Sequence, residues 1–144
     1  MRRLTVLLVA HNPEDVRLTQ QIFAQTSPHH TLRVVRDGEE ALTYLFQEGV
    51  YTAPSSAPPP DIILLDLPLP CMSGQELLQR LKQDPRFKRL PVIILASSRC
   101  AEEIGQAYAA GANAYLQKPA EMAGFTEVIE QLEKFWLETV ELPQ

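Results

Sequence analysis

Residues 62–66, Ile62-Ile63-Leu64-Leu65-Asp66, set the architecture of this chain. Four apolar residues in unbroken succession suit a strand buried on both faces, as in parallel sheets, and not the alternating pattern of a half-exposed strand. Short, mostly apolar segments recur on either side, at residues 4–10 (LTVLLVA) and 32–35 before it, and at 92–96 and 114–116 after it. Between these runs the apolar residues change to helical spacing. Ala41, Leu42, Leu45 and Phe46 form one stripe, Leu77, Leu78 and Leu81 a second, and Ile104, Ala107 and Tyr108 a third. Residues 13–27 open with Pro13, Glu14 and Asp15, which suit a first helical turn, and Leu18, Ile22 and Phe23 then point inward. The last stripe is the clearest: Phe125, Val128, Ile129, Leu132, Phe135 and Trp136. Gly111 is placed to close the fourth helix. Five strand–helix pairs predict an α/β fold, a doubly wound five-stranded parallel sheet with helices on both faces.

At 144 residues the chain has the size of one domain, read as residues 1–144 with 137–144 as a short C-terminal extension. Thirteen Lys and Arg against 18 Asp and Glu leave a net charge of −5, which argues against a nucleic-acid partner, since phosphate-backbone binding needs a basic face. No apolar run approaches the ~18 residues of a membrane helix. Met1-Arg2-Arg3 and the run after it have the outline of a signal peptide, but His11-Asn12-Pro13 is no small-residue cleavage site. The run is read as the first strand and the protein as cytoplasmic. Residues 53–60 (APSSAPPP) hold four prolines in eight positions and read as a stiff surface loop. Cys71 and Cys100 are too few for a disulfide framework, and a bond between them is not expected in the cytosol. They share the strand-tip edge with His11, but the spacing is unlike a zinc motif, so no soft-metal site is assigned. His29 and His30 read as loop residues at the opposite edge.

Ligands of open parallel sheets bind at the carboxyl ends of the strands. Those ends are Ala10-His11, Asp66, Ala96-Ser97-Ser98 and Lys118-Pro119. An Asp at the tip of a buried run is costly unless solvated, paired or used, and Lys118 across the pocket is its natural partner. Two readings stand at this point. One is a structural ion pair capping two strand ends; the other is a carboxylate nucleophile beside its counter-charge.

Asp66 follows an apolar strand, Pro70 comes four residues later and Gly74 eight, Lys118-Pro119 follows the fifth strand, and Tyr115 precedes the lysine by three. In this order and spacing the chain resembles, over essentially its whole length, the receiver domain of bacterial two-component response regulators. Asn12-Pro13-Glu14-Asp15-Val16-Arg17-Leu18 and the segment from Phe135-Trp136-Leu137 to Leu142-Pro143 further resemble the small stand-alone receivers that partner phytochrome-type histidine kinases. The resemblance implies a flavodoxin-like, CheY-like strand order of 2-1-3-4-5. It implies a phosphorelay in which a sensor histidine kinase's phosphoryl group moves to Asp66. Mg²⁺ would assist, held by Asp66, by acids after strand 1 and by the Pro68 carbonyl. Lys118 and a hydroxyl after strand 4 would meet the phosphoryl oxygens, because developing negative charge needs fixed positive partners. Tyr115 would be the aromatic that changes rotamer, and the Lys118–Pro119 bond would be cis.

Two parts of that machinery are absent. Ala10 and His11 stand where the acid pair is expected, and Ala96 where the hydroxyl is expected. Asp66 and Lys118 then sum to zero charge, so nothing demands a divalent cation. Mg²⁺ takes hard oxygen ligands that neither Ala10 nor His11 supplies, and weak binding through Asp66 and the Pro68 carbonyl is expected. Without a hydroxyl at 96, Tyr115 is expected to be uncoupled from phosphorylation. Ser97 remains as a phosphoryl-contacting candidate, although a regular strand turns it to the other face. The expected function is a stand-alone receiver with Asp66 as phosphoacceptor and weakened Mg²⁺-dependent switching, no enzyme beyond its own phosphorylation by a kinase or small phosphodonor. The alternative is a phosphorylation-independent interaction or dimerisation module. An aspartyl-nucleophile phosphatase ranks third, because such enzymes commonly carry a second Asp where Pro68 stands. Leu137, Val140 and Leu142 cluster within six positions beyond the last stripe, and predict a homodimer interface.

Overall fold

The computed structural model describes residues 3–53 and 56–143. Strands β1 (Thr5–Val9), β2 (Thr31–Val35), β3 (Ile62–Asp66), β4 (Val92–Ala96) and β5 (Ala114–Gln117) form one parallel sheet in the order β2-β1-β3-β4-β5. Helices α1 (Pro13–Thr26), α2 (Gly38–Leu45), α3 (Gly74–Gln83), α4 (Ala101–Ala110) and α5 (Met122–Leu132) follow the strands in turn. The strand–helix alternation and the order implied by the resemblance are both found. The chain moves outward from β1 in both directions, so a crevice opens at the carboxyl ends of β1 and β3.

The unbroken apolar runs feed two cores. Leu7, Val9, Ile63, Leu65 and Ile94 pack with Leu77, Leu78 and Ala107 on the side of α2, α3 and α4. Val6, Leu8, Ile62, Leu64 and Leu95 pack with Val16, Phe23, Phe125 and Ile129 on the side of α1 and α5. Alternate residues of the central strands serve alternate cores, which is why no polar residue interrupts Val6 to Val9, Ile62 to Leu65 or Val92 to Leu95, whereas the edge strand β2 is mostly half-buried and carries Arg33. The register pairs Val9 with Leu65, Asp66 with Leu95 and Ala96 with Gln117, so the tips of four strands end at nearly one level.

The last helix departs from its sequence pattern. Over Glu133–Thr139 it widens into π-helical turns, whose i→i+5 repeat rotates the faces away from the 3.6-residue stripe. Leu132 is therefore followed inward by Leu137, which is 5% exposed, whereas Phe135 is 52% exposed and Trp136 half-buried. The periodicity predicted the reverse for Phe135 and Leu137. Leu137 is spent on the chain's own core, so it is withdrawn from the predicted dimer interface. Leu142 packs against the same core and Val140 is half-buried. Tyr108, read as inward-facing, is exposed on α4.

Glu133 explains how the wide turns are held. Its buried carboxylate accepts hydrogen bonds from the Thr26 hydroxyl at 2.7 and 2.8 Å and from the Ser27 hydroxyl, both at the end of α1. Burial pushes Glu133 above the usual carboxylate range, against the opposing pull of those hydroxyls. Of the proline-rich stretch, Pro54 and Ser55 lie outside the described residues, as do Met1 and Arg2 at the chain start. Further along that stretch, Ala57 is buried and the Pro58 carbonyl accepts from the Tyr44 hydroxyl at 2.8 Å, which ties the loop to α2.

Candidate functional site

The turn after β1 is shaped by its cap. Asn12 Oδ1 accepts from the backbone N–H groups of Glu14 (2.9 Å) and Asp15 (3.4 Å), and Pro13 occupies the first helical position. Helix α1 therefore starts close to the tip of β1, and Asp15 in its first turn reaches the strand ends. β3 terminates on Asp66, which is 3% exposed. Lys118, in the turn after β5, donates its ammonium to Asp66 Oδ1 at 2.7 Å, to Asp15 Oδ2 at 3.0 Å and to the Leu67 carbonyl at 3.0 Å. The Lys118 backbone N–H donates to the Ala96 carbonyl at 2.7 Å, which fixes where the side chain leaves β5.

Asp66 and Lys118 are thus paired as the sequence led one to expect, but the charge count was incomplete. In the sequence Asp15 stands only as a helix-start residue and part of a motif. With it, two acids face one ammonium, and the cluster carries −1 when both are ionised. The missing signal was positional: a residue in the first turn of α1 sits on the same edge of the sheet as the strand tips. Burial pushes Asp66 from 3.8 up to about 7, opposed by Lys118 and reinforced by the nearby Asp15. Burial also works against the charge on Lys118, yet its bonds to Asp66 and Asp15 hold it above its ordinary value.

The donor set does not fit Mg²⁺. An octahedral ion takes six oxygens, and position 10 presents only a buried methyl while the exposed His11 offers nitrogen. The two carboxylates present, Asp15 and Asp66, already share one ammonium. Among the described residues no group of three or more His, Cys, Asp or Glu could hold a metal ion. Cys71 and Cys100 are exposed free thiols.

Ala96 and Tyr115 belong to the other core, across the sheet from Asp66's side. They line a cavity of about 450 Å³ with Leu67, Leu78, Ser97 and Ser98. The Tyr115 hydroxyl donates to the Ser98 carbonyl at 2.9 Å, and the Tyr115 backbone N–H donates to the Tyr108 hydroxyl at 3.1 Å. The aromatic is thus tied to the loop after β4 through a backbone acceptor, an arrangement the reading of Ala96 alone missed. Ser97 is exposed on the cavity rim, with no hydrogen bond to Asp66 or Lys118 among the described residues. Gly74 lets the Leu67 side chain pack closely against the start of α3, and a Cβ there would force that side chain to shift. The expectation of a cis Lys118–Pro119 bond is corrected: the one cis bond among the described residues is Leu67–Pro68. Trans is favoured by about 0.5–1 kcal/mol, and in that form Lys118 already reaches both Asp66 and the Ala96 carbonyl.

A five-stranded parallel sheet of order 2-1-3-4-5, a buried Asp ending its third strand and a Lys from the fifth strand's exit define a receiver-type α/β domain. Residues 6–130 match the response regulator receiver domain, and the chain belongs to that family. It is 38% identical over 138 residues to the response regulator Rcp1 of Synechocystis sp., spanning 96% of this chain and 92% of Rcp1. It is also similar to the crystal structure of a phosphorylated cyanobacterial phytochrome response regulator, RcpA. That match has a TM-score of 0.91 and 39% identity, covering 99% of this chain and 100% of the other. The Mn²⁺-bound form of Rcp1 superposes with a TM-score of 0.89 at 37% identity, covering 98% and 99% of the two chains.

Proposed function

We propose that this chain is a stand-alone response regulator receiver in a phosphorelay, one domain spanning residues 1–144, with Asp66 as phosphoacceptor and Lys118 as the cation that meets the phosphoryl oxygens. The observation that carries this reading is the 2.7 Å pairing of buried Asp66 with Lys118 at the carboxyl edge of the sheet. Similarity to a phytochrome response regulator over the full chain supports a phytochrome-type histidine kinase as the donor. The chain acts on itself and turns over no substrate; Pro68, where aspartyl phosphatases commonly carry a second acid, supports this. A net charge of −5 supports protein partners over nucleic acid, and no helix among the described residues is long and apolar enough to cross a membrane. The cytoplasm is the proposed compartment.

Rcp1 has been crystallised with Mn²⁺; Ala10 and His11 support much weaker divalent-cation binding in this chain. A homodimer through its C-terminal segment is part of the proposal; of Leu137, Val140 and Leu142, Val140 remains for that interface and the exposed Phe135 joins it, because Leu137 and Leu142 pack on the chain's own core. A second reading, a phosphorylation-independent interaction module, is favoured by one observation: Tyr115 is bound to the Ser98 carbonyl with no hydroxyl at position 96. Incubation with acetyl phosphate, with and without Mg²⁺, followed by intact mass, tests the choice. The first reading expects slow addition of one phosphoryl group, little stimulated by Mg²⁺ and absent in Asp66→Asn. No addition at all would leave the interaction module, and fast Mg²⁺-dependent addition would overturn the weakened pocket.

A further inference from the structure

Lys118 has no proton to spare. An ammonium carries three N–H donors, and all three are engaged, by Asp66 Oδ1 at 2.7 Å, Asp15 Oδ2 at 3.0 Å and the Leu67 carbonyl at 3.0 Å. A phosphoryl group arriving at Asp66 brings oxygens that need this cation, so one of the three partners must be displaced. Asp66 is the acceptor itself, and its side chain is 3% exposed; separating it from Lys118 as the phosphoryl group approaches, before any bond to phosphorus forms, would leave a buried carboxylate unpaired. The Leu67 carbonyl is backbone, next to the end of β3, and it cannot turn towards water without moving the chain. Asp15 differs from both. Its side chain is 20% exposed on the first turn of α1, so water can take over the interaction it gives up.

We infer that Asp15 occupies the place on Lys118 that a phosphoryl oxygen would take, and that it is a positioning residue restraining phosphoryl acceptance at Asp66. The inference rests on the reading of Asp66 as phosphoacceptor. Asp15 acts through Lys118, as an internal anion competing with the incoming one. In the transfer, an Asp66 carboxylate oxygen attacks the phosphorus of acetyl phosphate. The bond from phosphorus to the acetate oxygen breaks, acetate leaves with the electron pair, and an acyl phosphate remains on Asp66. Lys118 exchanges Asp15 for an oxygen of the transferred group, and no proton changes hands.

The experiment compares initial rates of acetyl phosphate labelling, by intact mass, in the wild-type chain, Asp15→Ala and Asp15→Asn. Asp15→Ala should raise the rate about tenfold, the worth of one charge-assisted hydrogen bond, and lower the half-saturating acetyl phosphate concentration. Asp15→Asn loses the charge but keeps an acceptor for Lys118, and should recover less than half of that gain. Equal gains in both variants would mean that local charge, not the occupied donor, sets the rate, and would overturn the inference. Labelling unchanged in Asp15→Ala would overturn it while leaving Asp66 as phosphoacceptor intact. No labelling in any of the three chains would remove both. In a Lys118→Met background the Asp15→Ala gain should vanish, which a purely structural role for Asp15 would not produce. Should that background fail to fold, the contrast between Ala and Asn at position 15 still decides.

Discussion

Replacing Lys118 with Met strips the buried Asp66 carboxylate of its ammonium partner and leaves Asp15 nearby. Removing one member of a buried pair ordinarily costs about 3–5 kcal/mol. A chain of this size has a stability of about 5–15 kcal/mol, so the variant should remain folded but weakened. Asp66 can escape part of the cost by taking up a proton, and this makes the loss pH-dependent. In the wild-type chain its folded value is already raised from 3.8 to about 7. An acid raised in the folded state costs stability as pH climbs from its unfolded value through its folded one, after which the cost is constant. The Lys118→Met substitution removes the lowering influence of the ammonium and pushes Asp66 higher still. The variant should therefore keep losing stability above about pH 8, where the wild-type contribution of Asp66 levels. The gap should widen by up to about 1.4 kcal/mol per pH unit there. Below pH 6 it should shrink towards the lost hydrogen bonds, about 1–2 kcal/mol. Urea denaturation followed by Trp136 fluorescence, at about pH 5.5, 7 and 8.5, measures the gap along this curve. A gap that stays constant with pH, or falls below about 1 kcal/mol at pH 8.5, would refute the account of Asp66 as a buried charge dependent on Lys118.

Glu133 is raised by burial, so it too costs stability as pH rises through its folded value; Glu133→Gln should flatten that slope and gain stability relative to wild type at pH 8 against pH 4, read by urea titration. Leu137→Ala should cost about 2–5 kcal/mol because it empties part of the chain's own core, whereas Val140→Glu should cost less and move the sedimentation of a dimer towards the monomer. Ala10→Glu combined with His11→Asp should return two hard ligands and raise Mg²⁺ affinity by at least about tenfold, measured by calorimetry; unchanged affinity would show that Lys118, held between Asp15 and Asp66, is the stronger obstacle.

The features legible in the sequence were those that depend on residue type along the chain. Unbroken runs such as Ile62 to Leu65 identify strands covered on both faces, because only burial on both sides excludes polar residues from alternate positions. Asp66 and Lys118 were visible as a pair because each ends or follows such a run, and strand tips of a parallel sheet share one edge. The losses at Ala10, His11 and Ala96 are likewise matters of identity, since a methyl cannot become a ligand in any fold. Geometry that depends on distance was not legible. Asp15 and Lys118 are 103 residues apart and meet only because the Asn12 cap starts α1 at the strand edge. Tyr115 finds the Ser98 carbonyl, and a backbone acceptor leaves no mark in a list of side chains. The inward turn of Leu137 followed from a change of helical pitch, which a 3.6-residue pattern read straight through Phe135 could not anticipate. Residue identity therefore decided which charges and ligands the site can contain, and the packing of α1, β3 and β5 decided which of them meet, because contact is a property of distance in space and not of order along the chain.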